Sequence, residues 1–488
     1  MKDNLFTFHK TVHGYRHIQE EIPCQDSSTS LEGANQYQII AVADGHGDPA
    51  CHRSNRGSRF AVEVAEKCLK DFASAILSGD MLFEHPRQRT ECIQQLTNTI
   101  VSKWNGAVRN DLLSNEVTED DFKEAGKYEQ AYKKGERLEH LYGTTLIAAL
   151  HVQNYLIFVH QGDGRCDVFY SDGSVDQPVP WDVRCQGSTT TSMCDKDVFT
   201  RIRSRVIDLN EKDVVACFIG SDGVEDSYYD NEESQQGTHR FYMDLLCKIQ
   251  ECGIDGFDSY LQEMLPNFSK SGSTDDVSVA GIVDIAKTSE LTDVYRSKVS
   301  EYDHRESLRI GLEESRSKVV SMTRKHGILC ERITREQSEL ESATATYNSV
   351  VETLARTRVA RDGHAEIVEQ AQGDLEEYQH DYQLASGELE GKYSRLTVAI
   401  QRFFEDISAG VSQKEADYRK LLEQLIDYDE SIQKLEGEEK DLSSRISELE
   451  DRLSSSKTEF EEYDKQFQRY KEDVKRFESE LASLNGGI

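Results

Sequence analysis

Proline and tryptophan are scarce in this chain of 488 residues, and both run out early. All six prolines and both tryptophans (Trp104 and Trp181) lie at or before Pro266. Ten of the eleven cysteines also fall in the first part, leaving only Cys330 beyond it. The last 200 or so residues contain no proline and are rich in Glu, Lys, Ser, Leu and Tyr. That composition suits long helices rather than a second globular enzyme. The cysteines are odd in number and scattered, with no Cys-x-x-Cys pair, so neither a disulfide framework nor a zinc site is indicated. Long apolar runs are missing too. None approaches the roughly 18–20 residues that span a bilayer, and the opening MKDNLFTFHK has no signal-peptide core. The expectation is a soluble protein of a reducing cytoplasm.

Positive charge is the scarce sign. The formal net charge is −33, shared between residues 1–286 (27 basic, 46 acidic, −19) and residues 287–488 (30 basic, 44 acidic, −14). With no local basic patch, such a surface repels a polyanion, so nucleic acid is not expected as a partner. An acidic cleft does suit divalent cations.

Short, β-branched apolar runs dominate the first part: Tyr37–Ala43, Thr144–Leu150, Tyr155–His160, Val214–Ile219 and Val277–Val283. Each is bounded by Gly, Asp or Asn and reads as a buried strand. Helical spacing appears between them, at Ser58–Ser78 and Cys92–Leu112. Paired strands with helices collected between them predict an α+β sandwich rather than strict βαβ alternation. The highly charged stretch Ser114–Glu139 reads as an exposed insertion or helix extension.

The second part carries a different period. From Tyr418 to Leu484, steps of three and four residues place an apolar side chain at nearly every seam position, including Leu421, Leu425, Ile432, Leu449, Phe467 and Leu481. Only Glu439 and Ser456 interrupt it. A 3.5-residue repeat held this long predicts a coiled-coil helix roughly 100 Å in length. Residues 288–410 are helical in composition but less regular. The segments flanking Ser386–Gly391 are of similar length, so an antiparallel hairpin folding back there and a parallel dimer both fit the pattern.

Five acidic motifs end strands or occupy the turns after them: CQD (Cys24–Asp26), VADGHG (Val42–Gly47), GDGR (Gly162–Arg165), GSDGVED (Gly220–Asp226) and STDDVSV (Ser273–Val279). Strands fix the backbone at such positions while leaving the carboxylates exposed, so that several can converge on hard cations such as Mg²⁺ or Mn²⁺. The Gly45–Ala50 stretch also satisfies a dinucleotide-binding glycine pattern. Asp44 and Asp48 would face a pyrophosphate with like charge, and Pro49 removes a needed N–H, so that reading is set aside.

The five motifs, in this order, together with Tyr142–Leu146 (YGTTL), resemble those of the PPM-type (type 2C) metal-dependent serine/threonine protein phosphatases, over residues 8–284. GYRHIQEEIPCQD is most similar to bacterial members. The resemblance implies a sandwich of two antiparallel β-sheets flanked by helices over residues 1–286, followed by the coiled-coil region 287–488. It implies hydrolysis of phosphoserine or phosphothreonine on a phosphoprotein, with two Mn²⁺ or Mg²⁺ ions. On the matching positions, Asp44 is expected to bridge the two ions, the Gly45 carbonyl to complete one, and Asp222 and Asp275 to hold the other. Asp26 is expected to orient the attacking water, and Asp163 and Asp226 to serve a third, weaker ion. His46 is expected to protonate the leaving alcohol, and Arg16 to grip the substrate phosphate. Gln25 departs from the family's Glu, which implies a tuned site rather than a dead one. No Cys-x5-Arg loop is present, which argues against a cysteine-based route. The coiled coil is expected to position the enzyme on a protein partner or a second copy. The competing reading is a coiled-coil signalling scaffold whose first domain is a sensor or pseudo-phosphatase.

Overall fold

Strands that are apolar on both faces need a cover on both sides. In the computed structural model, which describes residues 4–485 apart from 34–35, 124, 187–188, 229–231 and 391–397, each such strand has one. The strands are β1 (Leu5–Val12), β2 (Ser27–Gly33), β3 (Tyr37–Ala43), β4 (Leu146–Val152), β5 (Tyr155–Gln161), β6 (Arg165–Tyr170), β7 (Val175–Asp176), β8 (Arg203–Asp208), β9 (Val214–Gly220) and β10 (Val277–Asp284). They form two five-stranded sheets, ordered β1-β10-β9-β6-β7 and β2-β3-β4-β5-β8, with every pairing antiparallel.

Side-chain alternation splits each strand between two cores. Ile40 and Val42 of β3 join Ile147, Phe158, Val168, Cys217 and Ile282 between the sheets. Ile39, Ala41 and Ala43 point the other way, against the helices Ser54–Ser78 and Pro86–Ser114. On the outer face of the first sheet, Phe8, Phe169 and Phe218 pack against Tyr242, Leu246 and Phe257 of the helix Glu232–Ser271, which kinks at Gly253 (φ 71°). The result is an α+β sandwich of two antiparallel sheets flanked by helices.

The five apolar runs all appear as strands, although β4 starts at Leu146 rather than Thr144 because both threonines turn toward the end of β3. The remaining five strands carry weaker signals. β2 is SSTSLEG, and β8 is a half-exposed edge strand. The insertion at 114–139 is mostly exposed, as expected, but is anchored at a few points. It contains the short helices Glu119–Lys123 and Glu129–Lys133, and buries Asp121 and Tyr132. Asp121 takes both Nε and Nη2 of buried Arg53, at 2.8 and 2.7 Å, and a single buried ion pair pins an otherwise charged stretch to the core.

The chain forms two units, Met1–Glu306 and Ser307–Ile488. The first runs past residue 286 because the start of the helix Ile285–Glu390 packs on the first sheet. There Tyr295 meets Phe169 edge-on at 6.1 Å, and Lys298 Nζ donates to the Gly173 carbonyl at 2.7 Å. In the second unit, the remainder of that helix and the helix Val398–Asn485 run antiparallel. Ion pairs fix the register: Arg316–Glu478 (2.6 Å), His326–Asp464 (3.0 Å), Arg358–Glu436 (2.6 Å) and Arg361–Asp429 (2.9 Å). Every seam position from Tyr418 to Leu484 is buried or half-buried, including the two interruptions, Glu439 and Ser456. Of the expected fold-back at Ser386–Gly391, residues 386–390 are still helical and Gly391 lies outside the described residues. Among the described residues, no helix is long and apolar enough to cross a membrane.

Two measurements check this packing. Removing the carboxylate of Asp121 strands a buried guanidinium, so Asp121→Ala should cost about 3 kcal/mol, the low end for a broken buried pair. The Asn115 and Glu116 carbonyls that still accept from Arg53 keep the loss there, and thermal unfolding reads it. Arg358→Cys with Glu436→Cys should oxidise to an intramolecular disulfide, read as monomer on a non-reducing gel, whereas a parallel dimer gives cross-linked dimers.

Candidate functional site

The ends of β3, β5, β9 and β10 meet along one rim of the sandwich, and hydrogen bonds between their turns set the acidic residues in place. Asp44 follows β3. Its N–H donates to Thr145 Oγ1 (2.9 Å), and its carbonyl accepts from Thr144 Oγ1 and the Thr145 N–H (both 2.8 Å). The YGTTL segment thus holds the Asp44 backbone from both sides. Next, the Gly45 N–H donates to the Gln25 carbonyl (3.1 Å), which ties the CQD turn to VADGHG. The Gln25 side chain donates to Ser54 Oγ at 2.9 Å and not to any carboxylate. After β9, the Ser221 N–H bonds the Ser278 carbonyl (3.0 Å), which fixes Asp222 against the start of β10. Asp163 sits in the β5–β6 turn after Gly162 (φ 111°), and Arg165 of the same turn clamps Glu225 bidentately while stacking on Trp181 at 4.4 Å.

Two glycines are required by close approach rather than by backbone angle. A Cβ on Gly14 would lie 2.4 Å from the Asp275 carbonyl carbon, and one on Gly223 would lie 2.0 Å from the Asp276 carbonyl oxygen. The loops carrying Asp275 and Asp276 are therefore wedged between the turn after β1 and the turn after β9. Thr274, β-branched and at φ 65°, is held in that strained conformation, with its carbonyl accepting the Arg16 N–H at 2.8 Å.

Electrostatically, four of the aspartates act on one another. Burial raises Asp44 well above the ordinary carboxylate range, and Asp222 and Asp26 push it further. Asp222 is raised in the same way, by burial and then by Asp163. Asp163 is raised chiefly by burial, against a hydrogen bond from Thr190. Asp26, 7 % exposed, is pushed up to about 7 by burial and by Asp276. Asp226 adds charge next to Asp222, one helical turn along.

Asp275 is placed differently. Its Oδ2 accepts from Arg16 Nη2 at 2.9 Å, and its Oδ1 lies 3.3 Å from His17 Nε2. It is not among the charges acting most strongly on Asp44 or Asp222. Its neighbour Asp276, only 3 % exposed, is the one that bears on Asp26, and it accepts the N–H groups of Gly14 (2.6 Å) and Gln25 (2.7 Å). Arg16 is half-exposed, as a residue offered to a ligand must be. His46 is partly open at its surface yet closely surrounded. Burial, and then His140, lower its pKa to about 4, which leaves a neutral imidazole near pH 7.

The Protein phosphatase 2C family model matches residues 13–273, more than half of the chain. This chain belongs to the protein phosphatase 2C family. Solved structures similar to it include the serine/threonine phosphatase Stp1 from Staphylococcus aureus (17 % identity, 57 % of this chain and 94 % of that one, TM-score 0.33). PppA, a key regulatory component of T6SS in Pseudomonas aeruginosa, overlaps at 11 % identity over 58 % of this chain and 98 % of that one, with TM-score 0.34. RsbX in complex with magnesium gives 12 %, 58 %, 97 % and 0.31 in the same order. These overlaps are too loose to transfer residue roles. Among curated proteins, no match is found.

Members of the 2C family are metal-dependent phosphoprotein phosphatases, using Mg²⁺ or Mn²⁺, and this chain is one of them. The residues present fit such ions. Asp26 Oδ2 is buried without a hydrogen-bond partner, and burial together with neighbouring carboxylates disfavours ionisation of Asp44 and Asp222, a cost that a bound cation would offset. An all-oxygen donor set of this kind matches a hard divalent cation. The sequence reading named Asp26, Asp44, Asp163 and Asp222. It passed over Asp276 and His17, although both stand beside residues it chose. The signal for Asp276 was the doubled Asp of STDDVSV, just before β10, where Asp275 is half-buried and Asp276 is buried.

Gly223→Ala tests the wedge directly. The added methyl must displace the Asp276 backbone, so activity should fall at least ~10-fold, or about 1.4 kcal/mol in the barrier, while circular dichroism stays that of the parent.

Proposed function

We propose that this 2C-family protein hydrolyses phosphoserine and phosphothreonine on proteins, with two divalent ions held by Asp44, the Gly45 carbonyl, Asp222 and Asp275. Asp163 and Asp226 would take a third, weaker ion. The observation that carries this reading is the set of buried carboxylates at the strand ends, whose ionised forms a bound cation would stabilise. When bound, Mg²⁺ or Mn²⁺ would polarise the phosphoryl group and acidify the attacking water.

The chain's own residues supply the rest. Asp26, with a buried Oδ2 that has no hydrogen-bond partner, is suited to accept a hydrogen bond from the attacking water and to orient it. Arg16 is suited to grip the substrate phosphate from the exposed side of the rim, and swinging there would release the Asp275 carboxylate it now holds. Water attacks phosphorus, the P–O bond to the serine or threonine breaks, and the proton lost by water accounts for the one gained by the alcohol. His46 would give a proton to the leaving alcohol, against the burial that lowers its pKa to about 4. We assign to the helical hairpin of residues 307–488 the role of holding the enzyme on a protein partner. Its half-exposed or more exposed apolar side chains, among them Val320, Val359, Ile367 and Phe403, support that role.

The full-length protein, stripped of metal and assayed with p-nitrophenyl phosphate, should regain activity on addition of Mn²⁺. Asp44→Asn and Asp222→Asn should each lower that activity at least ~100-fold, about 2.7 kcal/mol. Metal-independent turnover, or unchanged activity in both variants, would sink the proposal.

A further inference from the structure

The buried histidine next to the carboxylate rim has a chemistry that the phosphatase reaction leaves unused. We propose that His13, His17 and Asp276 form a binding site for a zinc-class divalent ion, distinct in ligand type from the all-oxygen cluster.

One donor atom from each of the three residues lies within 4.8 Å of the other two. His13 closes the turn after β1, and its Nε2 is 2.7 Å from the Ile22 carbonyl. A carbonyl can only accept, so Nε2 carries the proton and Nδ1 keeps its lone pair. This is the arrangement in which a backbone carbonyl orients a metal-binding imidazole. His17 is 4 % exposed, and its Nδ1 is buried without a hydrogen bond of proper geometry, although Asp276 Oδ2 stands 3.1 Å away. Asp276 is 3 % exposed and is oriented by the backbone N–H groups of Gly14 and Gln25, which leaves further lone pairs on both oxygens. The Cys24 thiol lies near Asp276 but is not among the donor atoms that fall within 4.8 Å of one another.

Two imidazoles and one carboxylate select Zn²⁺ and its neighbours over Mg²⁺, which prefers oxygen alone. A tetrahedral ion with bonds of ~2.0–2.1 Å needs donors about 3.3 Å apart. His13 is only half-buried, so a small rotation of its ring can bring the three donors in. Because Asp276 also anchors the backbone of Gln25, an ion here would brace the turn that carries Asp26.

The test uses the full chain, stripped of metal and then given Mg²⁺ in excess to fill the oxygen sites, with Co²⁺ titrated as the probe. The expected result is one tightly bound Co²⁺ per chain, with X-ray absorption showing two imidazoles in its coordination shell. His13→Gln should weaken Co²⁺ binding at least ~10-fold while Mg²⁺-supported hydrolysis of p-nitrophenyl phosphate remains at the parent level. Fewer than two imidazoles around Co²⁺, or unchanged affinity in His13→Gln, overturns the proposal. If His13→Gln does not fold, the coordination shell of the parent protein decides alone. Failure here leaves the phosphatase reading standing, since that rests on Mn²⁺-restored activity and on Asp44 and Asp222.

Discussion

Like charges brought together in a partly dry place repel, and this sandwich is built to hold four of them there. Asp26, Asp44, Asp163 and Asp222 come from four different turns; burial raises all four, Asp222 and Asp26 add to the cost of ionising Asp44, and Asp163 adds to that of Asp222. Such an arrangement persists only if the backbone beneath it is rigid. Two stacked antiparallel sheets supply that rigidity, because every strand end that carries an aspartate is fixed by pairing on both sides or by a backbone clasp from the next turn. The clasps are specific: Thr144 and Thr145 on Asp44, the Ser221–Ser278 exchange beside Asp222, and Gly45 on Gln25. The strands beneath these turns carry three hydrophobic cores.

At the edge of that cluster, the charge changes sign. Arg16 and His17 follow β1 and meet Asp275, while Asp276 turns inward to Gly14, Gln25 and Asp26. Two adjacent aspartates thereby face different partners, one exposed and paired with cations, the other buried and bonded to backbone N–H groups. The bend just before β10 separates them. Glycine at positions 14 and 223 lets the loops close on this pair without side chains between them.

The helical unit obeys a different constraint. An antiparallel hairpin of two long helices has no sheet to fix it, so its register rests on an apolar seam and on ion pairs that flank it. Exposed pairs of this kind contribute little each. Their value lies in excluding alternative registers, as the regular march from Arg316–Glu478 to Arg361–Asp429 shows.

Local patterns sufficed wherever one short stretch carried the whole signal. The five apolar runs are strands because a strand buried on both faces must be apolar throughout. The helix from Tyr418 onward has its seam at the 3,4 positions because only those face its neighbour. The acidic motifs are likewise legible one at a time, since Asp44, Asp163 and Asp222 each follow a strand with a glycine alongside, while Asp26 directly precedes β2. Other features depended on residues far apart in the chain. Polar β2 became a strand only because β3 offered it a ladder. Asp121 became buried only because Arg53 lies 68 positions before it. Asp276 and His17 are separated by more than half the chain and meet only once β1 pairs with β10 in the register Val12↔Val277. The acidic motifs can be read along the chain alone; which of their carboxylates share a charge environment follows from the packed sheets, because burial and distance arise only on folding.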